Sequence, residues 1–544
     1  MNFPAVIVLA SWAAVLSPVH AGLIEPIPTE GGLVSGSAGA TAGVRAFQGI
    51  PYGAPPVGDL RWRPPAPAQP WTGVLKAERF GMASMQPIRP SNPLMRPPDP
   101  PASEDSLYLN VWTPATSAGD KLAVLLWIHG GGNTSGTASM PHYNGERLAA
   151  KGVVVVSINY RLGLFGWMAH PELTAESPHK SSGNYALLDM IAALKWVQAN
   201  IAAFGGDPAR VTIWGQSAGA SNASALIASP LANGLFSRAI LVSGGGLLGG
   251  GGPAAAATLA VAEQRGAELG ERVGARSLAA LRALPAERLR NERYQAGSIT
   301  DGWVLPESVA VRVRQGRNNL VGILIGSTAD DAPRLAPGLE KYKEQNTRTY
   351  GDRAAEFFLT YPATTDAQAK AAHGRFAGDR AAVNSRNRLE VEYGLGNRNL
   401  YLFYFSRIPP LPANPNVVAG SSESLNLGSY HGAELVYAFG TLKTRAWPWT
   451  PRDFTLSEEM MTYWTQFAKD GTTQAVGIPD WPAWTPEGDA RMVFGEESAV
   501  RRMPSTPGLK FASEWMQPRD PKSGSNPAAA RRSGDATDGQ RPVR

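Results

Sequence analysis

The chain has 544 residues, 43 % hydrophobic and 18 % charged, the balance of an ordinary globular protein and one that excludes disorder for its bulk. Its net charge is +6, but Gln517 to Arg544 holds six basic residues (Arg519, Lys522, Arg531, Arg532, Arg541, Arg544) against three acidic (Asp520, Asp535, Asp538), so half of the excess lies in a tail; with no basic run interleaved with aromatics elsewhere, a nucleic-acid partner is not expected. The absence of cysteine excludes disulfides, thiol catalysis and zinc-thiolate sites without deciding the compartment, because a chain of this length builds a large core without cross-links.

The N-terminus reads as a signal peptide over residues 1–21. An apolar run from Ala5 to Leu16 is too short for a membrane anchor and is followed by the small-residue cleavage pattern Val19-His20-Ala21. The mature chain is then expected to start near Gly22. The segment Met1-Asn2-Phe3 lacks the usual Lys or Arg, and a buried N-terminal strand is the alternative. No later segment is expected to span a membrane.

From Gly31 to Arg63 the glycine-punctuated stretches around Leu33 and Val44 predict short antiparallel strands. A Pro-rich loop from Met85 to Ala102 follows, long enough to border a site. Strand character resumes over Leu107 to Trp112. Continuous apolar runs at Leu122–Ile128 and Val153–Ile158, with a helical stretch near Gly145–Ala150 between them, predict a parallel crossover unit. A helix is expected from Tyr185 to Phe204, with Leu187, Leu188, Ile191, Leu194, Val197 and Ile201 on one face.

The run Val211-Thr212-Ile213-Trp214 then enters Gly215-Gln216-Ser217-Ala218-Gly219 and a small-residue helix. A serine between glycines two places to either side, leaving a strand and entering a helix, has the pattern of a nucleophile elbow. A side chain at either glycine would strike neighbouring backbone, and glycine also accepts strained dihedrals at little cost. Ala218 lies in the first helical turn, where unpaired N–H groups and the helix dipole favour a developing oxyanion. The pentapeptide alone also arises by chance in a glycine-rich chain, so its context must carry it.

Ala239–Val242 continues the alternation, which predicts an α/β fold: a mostly parallel sheet with helices on both faces and helical cap insertions. Gly244–Gly246 and Gly249–Gly252 are either a backbone wall beside the serine or a plain linker. Leu320–Ile325 and Asn399–Phe405 return to the sheet. Helical patterns fill Leu339–Leu395 and Phe454–Lys469, and residues 22–516 read as one domain ahead of a disordered basic tail over 517–544.

A serine nucleophile needs a base and an orienting carboxylate. His129 ends a core strand, and His142, His170, His179 and His373 read as surface groups. His431, in the loop Gly428-Ser429-Tyr430-His431-Gly432 just past the sheet, is the candidate base, with a structural hydrogen-bonded histidine as the alternative. Asp330 and Asp331 follow the strand at Leu320–Ile325, at the carboxyl end where functional groups gather; either could equally cap a helix. The order Ser217, Asp331, His431 is that of an α/β-hydrolase. His129-Gly130-Gly131-Gly132 offers bare N–H groups for an oxyanion, and lacks the Lys-Ser/Thr that a phosphate-binding loop would carry.

These pieces resemble the type B carboxylesterase and cholinesterase-like family of α/β-hydrolases, its bacterial para-nitrobenzyl-esterase-like members included, over roughly Leu33 to Trp515. Matching stretches include Phe47-Gln48-Gly49-Ile50-Pro51-Tyr52-Gly53, Ser103-Glu104-Asp105-Ser106-Leu107-Tyr108-Leu109-Asn110, Trp127-Ile128-His129-Gly130-Gly131-Gly132, Asn159-Tyr160-Arg161, Phe204-Gly205-Gly206-Asp207-Pro208, the elbow itself and His431-Gly432-Ala433-Glu434. The resemblance implies a triad of Ser217, Asp331 and His431 and an oxyanion hole of Gly131, Gly132 and Ala218. Four departures stand out. Asp331 takes the place of the family's usual Glu; Ser106 and Ser84 stand where a cysteine pair is expected; Asn133 replaces an aromatic; and Met85–Ala102 holds no Trp, which disfavours a choline ester.

The expectation is therefore an exported serine carboxylesterase acting on small-molecule esters through an acyl-enzyme. No cofactor or metal is expected, and the protein is expected to be monomeric. An amidase or carbamate hydrolase with the same triad, or a catalytically silent adhesion protein on this fold, are the alternatives. The Gly-rich stretch and Trp447-Pro448-Trp449 suggest a roomy aromatic-lined pocket, unless those tryptophans belong to the core.

Overall fold

The computed structural model describes residues 23, 25–88, 100–246, 257–332, 338–411 and 428–516. The expected signal peptide, most of the Pro-rich loop, Gly249–Gly252 and the basic tail lie outside the described residues.

The centre is an 11-stranded sheet of β1 (Ser37–Ala38), β2 (Arg45–Pro51), β3 (Tyr108–Thr113), β4 (Leu122–Ile128), β5 (Val154–Ile158), β6 (Gly206–Gln216), β7 (Arg238–Val242), β8 (Gly322–Thr328), β9 (Leu400–Phe405), β10 (Ala490–Phe494) and β11 (Ser498–Arg502). In space they run β11-β10-β9-β8-β7-β6-β4-β5-β3-β2-β1. The pairs from β5 through β4 and β6 to β10 are parallel, and both flanks are antiparallel. Ile27–Thr29, Gly32–Ser35 and Val74–Lys76 form a separate three-stranded sheet.

Strands covered on both faces need apolar residues at every position, not at alternate ones. That is why Ala123–Ile128 and Val154–Ile158 are buried throughout. One face packs on α1 (Tyr185–Asn200), whose Leu187, Met190, Leu194 and Val197 are buried, and on α2 (Ala218–Ala228). The other face packs on α4 (Pro451–Asp470), while α3 (Asp366–Gly394) lies against the ends of β8 and β9. Tyr185–Phe204, made of α1 and one 3-10 turn, is the only helical stretch among the described residues long and apolar enough to cross a membrane, and it is mostly buried inside the molecule.

The sequence reading missed β10 and β11, because Arg491 interrupts the apolar pattern; in the fold its guanidinium stacks on Tyr404, 4.1 Å from the ring centre. The strand expected at Leu320 starts at Gly322, and Leu320 itself is 62 % exposed.

The strand order positions the site. From β4 the chain crosses to β5 on one side, then returns to place β6 on the other. The carboxyl ends of β4 and β6 therefore flank the point where the winding reverses, which is where open α/β sheets leave a crevice.

Candidate active site

Ser217 stands between β6 and α2 with φ 57° and ψ −124°, a conformation that costs an L-residue about 1–3 kcal/mol and persists only where its surroundings enforce it. The enforcement is visible. Ser217 N–H donates to Val242 O on β7 at 2.9 Å, and Ser221 N–H donates back to Ser217 O at 3.0 Å. The hydroxyl makes no capping bond to the helix it precedes, and the residue is half-buried.

One part of the expectation about the flanking glycines needs correction. Gly215 and Gly219 are not in the left-handed region; the strained dihedrals belong to Ser217 itself. The glycines serve close approach alone. A Cβ at Gly215 would lie 2.3 Å from Gly219 O, and one at Gly219 would lie 2.1 Å from Ile128 O at the end of β4.

His431 Nδ1 lies 2.6 Å from Asp331 Oδ1, and the Asp331 side chain is only 4 % exposed against 25 % for His431. Of two adjacent carboxylates, only Asp331 meets the imidazole. Thr328 Oγ1 donates to the same Oδ1 at 3.0 Å, fixing the carboxylate in place. Asp330 faces the other way: its Oδ2 accepts Ser429 N–H at 2.9 Å, and its own N–H donates to Ser429 O at 3.1 Å. It thus ties the His431 loop to the end of β8. The opposite ring nitrogen of His431, Nε2, is 3.2 Å from Gln216 Nε2, the side chain immediately before Ser217. The fold has closed a gap of 100 residues on one side of the imidazole and 215 on the other.

The loop after β4 faces this group. Gly131 and Gly132 are exposed with φ 112° and 64°, and a Cβ on neighbouring Gly130 would lie 3.1 Å from Ser217 Cβ. No acceptor takes the N–H of Gly131, Gly132 or Ala218 among the described residues. Asn133, which the sequence marked only as a missing aromatic, has φ 60° and is buried; asparagine tolerates that left-handed backbone better than most residues. Its Oδ1 accepts Asn222 Nδ2–H from α2 at 2.8 Å, and its carbonyl accepts Gly163 N–H at 2.7 Å. The glycine loop and the elbow helix are therefore clamped together by an amide pair that sequence spacing gave no means of finding.

Two titratable groups beside the site are buried. His129 is buried, stacks on Tyr160 at 4.5 Å, and is bonded through Nδ1 to Gly130 O at 2.8 Å. Burial pulls its pKa down to about 4, so it is a neutral structural group. Glu434, three residues past His431, is fully buried, and no side chain among the described residues bonds its carboxylate. Burial pushes its pKa up to about 8, so it holds its proton at moderate pH.

Other expectations divide. His170 is buried and not a surface group; its Nδ1 accepts Glu172 N–H at 3.2 Å. Gly244 packs on the elbow backbone, where a Cβ would lie 2.5 Å from Ser217 O. Trp447 is 5 % exposed and belongs to the core with Tyr437 and Phe439, so the aromatic-pocket reading of that pair gives way to the core reading. Ser84 Oγ and Ser106 Oγ are 3.0 Å apart, and Ser84 also donates to Tyr160 O at 2.7 Å: the two serines meet where the resemblance implied a cysteine pair.

A parallel sheet whose winding reverses at β4 and β6, with a strained serine at the turn and a carboxylate and histidine from later strand ends, defines an α/β-hydrolase. The match to the carboxylesterase family model covers residues 25–512. The chain is 37 % identical over 484 residues to the fumonisin B1 esterase of Sphingopyxis macrogoltabida, covering 86 % of each chain. It is 32 % identical to carboxylesterase 1E of Mus musculus over 498 residues, covering 82 % of this chain and 85 % of that one. Cocaine esterase of Oryctolagus cuniculus is 32 % identical over 478 residues, covering 82 % and 86 %. The chain belongs to the carboxylesterase family and is a carboxylic-ester hydrolase.

Proposed function

We propose that Ser217 is the nucleophile of this esterase, His431 its general base and acid, and Asp331 the orienting carboxylate, with Gly131, Gly132 and Ala218 donating to the oxyanion. The observation that carries the reading is the 2.6 Å contact between Asp331 Oδ1 and His431 Nδ1 on an imidazole whose Nε2 faces the elbow. A carboxylate at that distance keeps the proton on Nδ1 and makes Nε2, which here takes the Gln216 amide, the accepting nitrogen of the ring.

The steps then follow. Ser217 Oγ attacks the ester carbonyl as Nε2 takes its proton, and the oxyanion is met by amides already held in place. The tetrahedral intermediate expels the alcohol, which takes the proton from Nε2. Water, deprotonated by Nε2, attacks the acyl-serine and releases the acid and Ser217. The reaction needs no cofactor.

Labelling by an organophosphate, followed by peptide mass mapping, tests the nucleophile: modification at Ser217 supports it, and modification elsewhere with loss of turnover sinks it. A matched ester and anilide pair separates ester from amide specificity. We also propose that residues 1–21 are an export signal ahead of a single α/β-hydrolase domain over 22–516, and that the protein acts outside the cytoplasm as a monomer; a mature N-terminus far from Gly22 would contradict the first of these.

A further inference from the structure

A cleft of about 460 Å³ is lined by Thr134, two residues past Gly132, by Leu162 and Gly163, and by Arg290 and Arg293. Gly163 donates to Asn133 O at 2.7 Å, so one lining residue is bonded to the backbone that follows Gly131 and Gly132.

The two arginines differ from four inward arginines of this fold that meet a carboxylate, and Arg290 shares with Arg491 a buried Nε that has no acceptor among the described residues, the Arg491 guanidinium instead lying over Tyr404. Arg61 meets Glu104 at 2.6 Å, Arg161 meets Asp189 at 2.6 Å, Arg388 meets Glu392 at 2.8 Å and Arg407 meets Asp453 at 2.8 Å. Arg290 has no such partner among the described residues: it is half-buried, and its Nε is fully buried without an acceptor. Arg293 is exposed at the mouth, and its guanidinium likewise has no ion pair among the described residues. The carboxylate that also lines the cleft, Glu292, is already bonded to Arg288 at 2.9 Å and lies 3.6 Å from Arg272. Among the described residues the wall is left cationic. A desolvated guanidinium N–H without an acceptor is costly, and a carboxylate entering the cleft would relieve that cost through planar, charge-assisted hydrogen bonds.

We infer that this cleft is an anion subsite, and that the esters this enzyme handles best carry a free carboxylate within reach of Arg290 and Arg293. The inference rests on the proposed reaction at Ser217 and names its substrate class: half-esters of polycarboxylic acids, or esters of hydroxy acids.

The test compares 4-nitrophenyl hydrogen glutarate with 4-nitrophenyl valerate, which match in length and differ in the terminal carboxylate. A second arm, butyryl glycolate against propyl butyrate, places the charge on the alcohol side. The quantity read is the ratio of kcat/KM for the anionic over the neutral ester. It is expected to favour the anion in at least one arm, and to fall about tenfold or more in an Arg290→Gln/Arg293→Gln double variant. Arg290→Glu should turn the preference against the anion. Arg501→Gln, on the far edge strand, should leave the ratio unchanged; an equal drop there would assign the effect to the overall positive charge and overturn the subsite. A ratio at or below one in both arms, or one that the double variant leaves intact, would also overturn it. If neither ester of a pair is hydrolysed, the reading of Ser217 fails instead. Turnover of the neutral ester by each variant reports that it has folded.

Discussion

Replacing Asp331 by Asn probes the proposed triad at its most informative bond. The carboxylate Oδ1 accepts from both His431 Nδ1 at 2.6 Å and Thr328 Oγ1 at 3.0 Å. An asparagine amide can offer either oxygen or NH₂ there. With oxygen, both donors stay satisfied and the tautomer is kept, so only the charge that stabilises the imidazolium is lost. With NH₂, Nδ1 must become the acceptor, Nε2 carries the proton, and the ring cannot take one from Ser217. Loss of an orienting carboxylate is worth roughly 10³ to 10⁴ in kcat, or about 4 to 5.5 kcal/mol at 1.36 kcal/mol per decade. Because Thr328 favours the oxygen orientation, the single variant is expected near 10³. Adding Thr328→Val removes that preference and should carry the loss toward 10⁴. Asp331→Glu should also lose activity, since an added methylene has no room in a contact already closed at 2.6 Å. The assay is kcat on a 4-nitrophenyl ester, normalised by organophosphate titration of active serine. Asp330→Asn is the comparison: its amide oxygen can still accept Ser429 N–H, so only about 1 kcal/mol of stability is expected to go. An Asp331→Asn enzyme retaining more than about a tenth of its kcat would refute the assignment. So would an inactive Asp330→Asn enzyme with a normal melting curve.

Ser217→Ala should lower turnover by at least roughly 10⁴ and scarcely change the melting temperature, because the bond that holds the elbow is the backbone link to Val242 O at 2.9 Å; residual activity above that level would point to another nucleophile. Gly219→Ala places a Cβ 2.1 Å from Ile128 O and should cost about 3 kcal/mol or more in denaturant unfolding; a variant as stable as the parent would show that the strand end can yield. Glu434 holds a proton when folded up to about pH 8, whereas the unfolded chain loses it near the ordinary carboxyl range. The folded state therefore binds more protons between those values, and stability falls with rising pH across that window, by up to about 1.4 kcal/mol per pH unit. Glu434→Gln should flatten this slope, and equal slopes in the two proteins would place the titration elsewhere. Ser84→Cys with Ser106→Cys, 22 residues apart and in contact, should form a disulfide worth about 3 kcal/mol, read as the difference in melting between oxidised and reduced protein.

Residues near in the chain, or repeated at a period, were legible from sequence. The apolar runs that became β4, β5 and β7, the helix α1, which is buried on nearly every side and not on one face alone, and the glycine spacing of the elbow each follow from local sterics and burial. They gave the parallel core and the position of Ser217. Even there, local reasoning put the strain on the glycines, while the packing of β6 against β4 and α2 puts it on the serine. Relations across the fold did not follow from local patterns: only the family resemblance favours Asp331 over Asp330, and nothing in the sequence says what Asn133, Gln216 and Glu434 face. Side chains one residue apart point in different directions, and which direction leads to the imidazole depends on where the loop after β9 returns to the end of β8. The same holds for Arg290. Its charge is plain in the sequence, but its lack of a carboxylate partner among the described residues is a property of the space around it, and only the tertiary structure decides that.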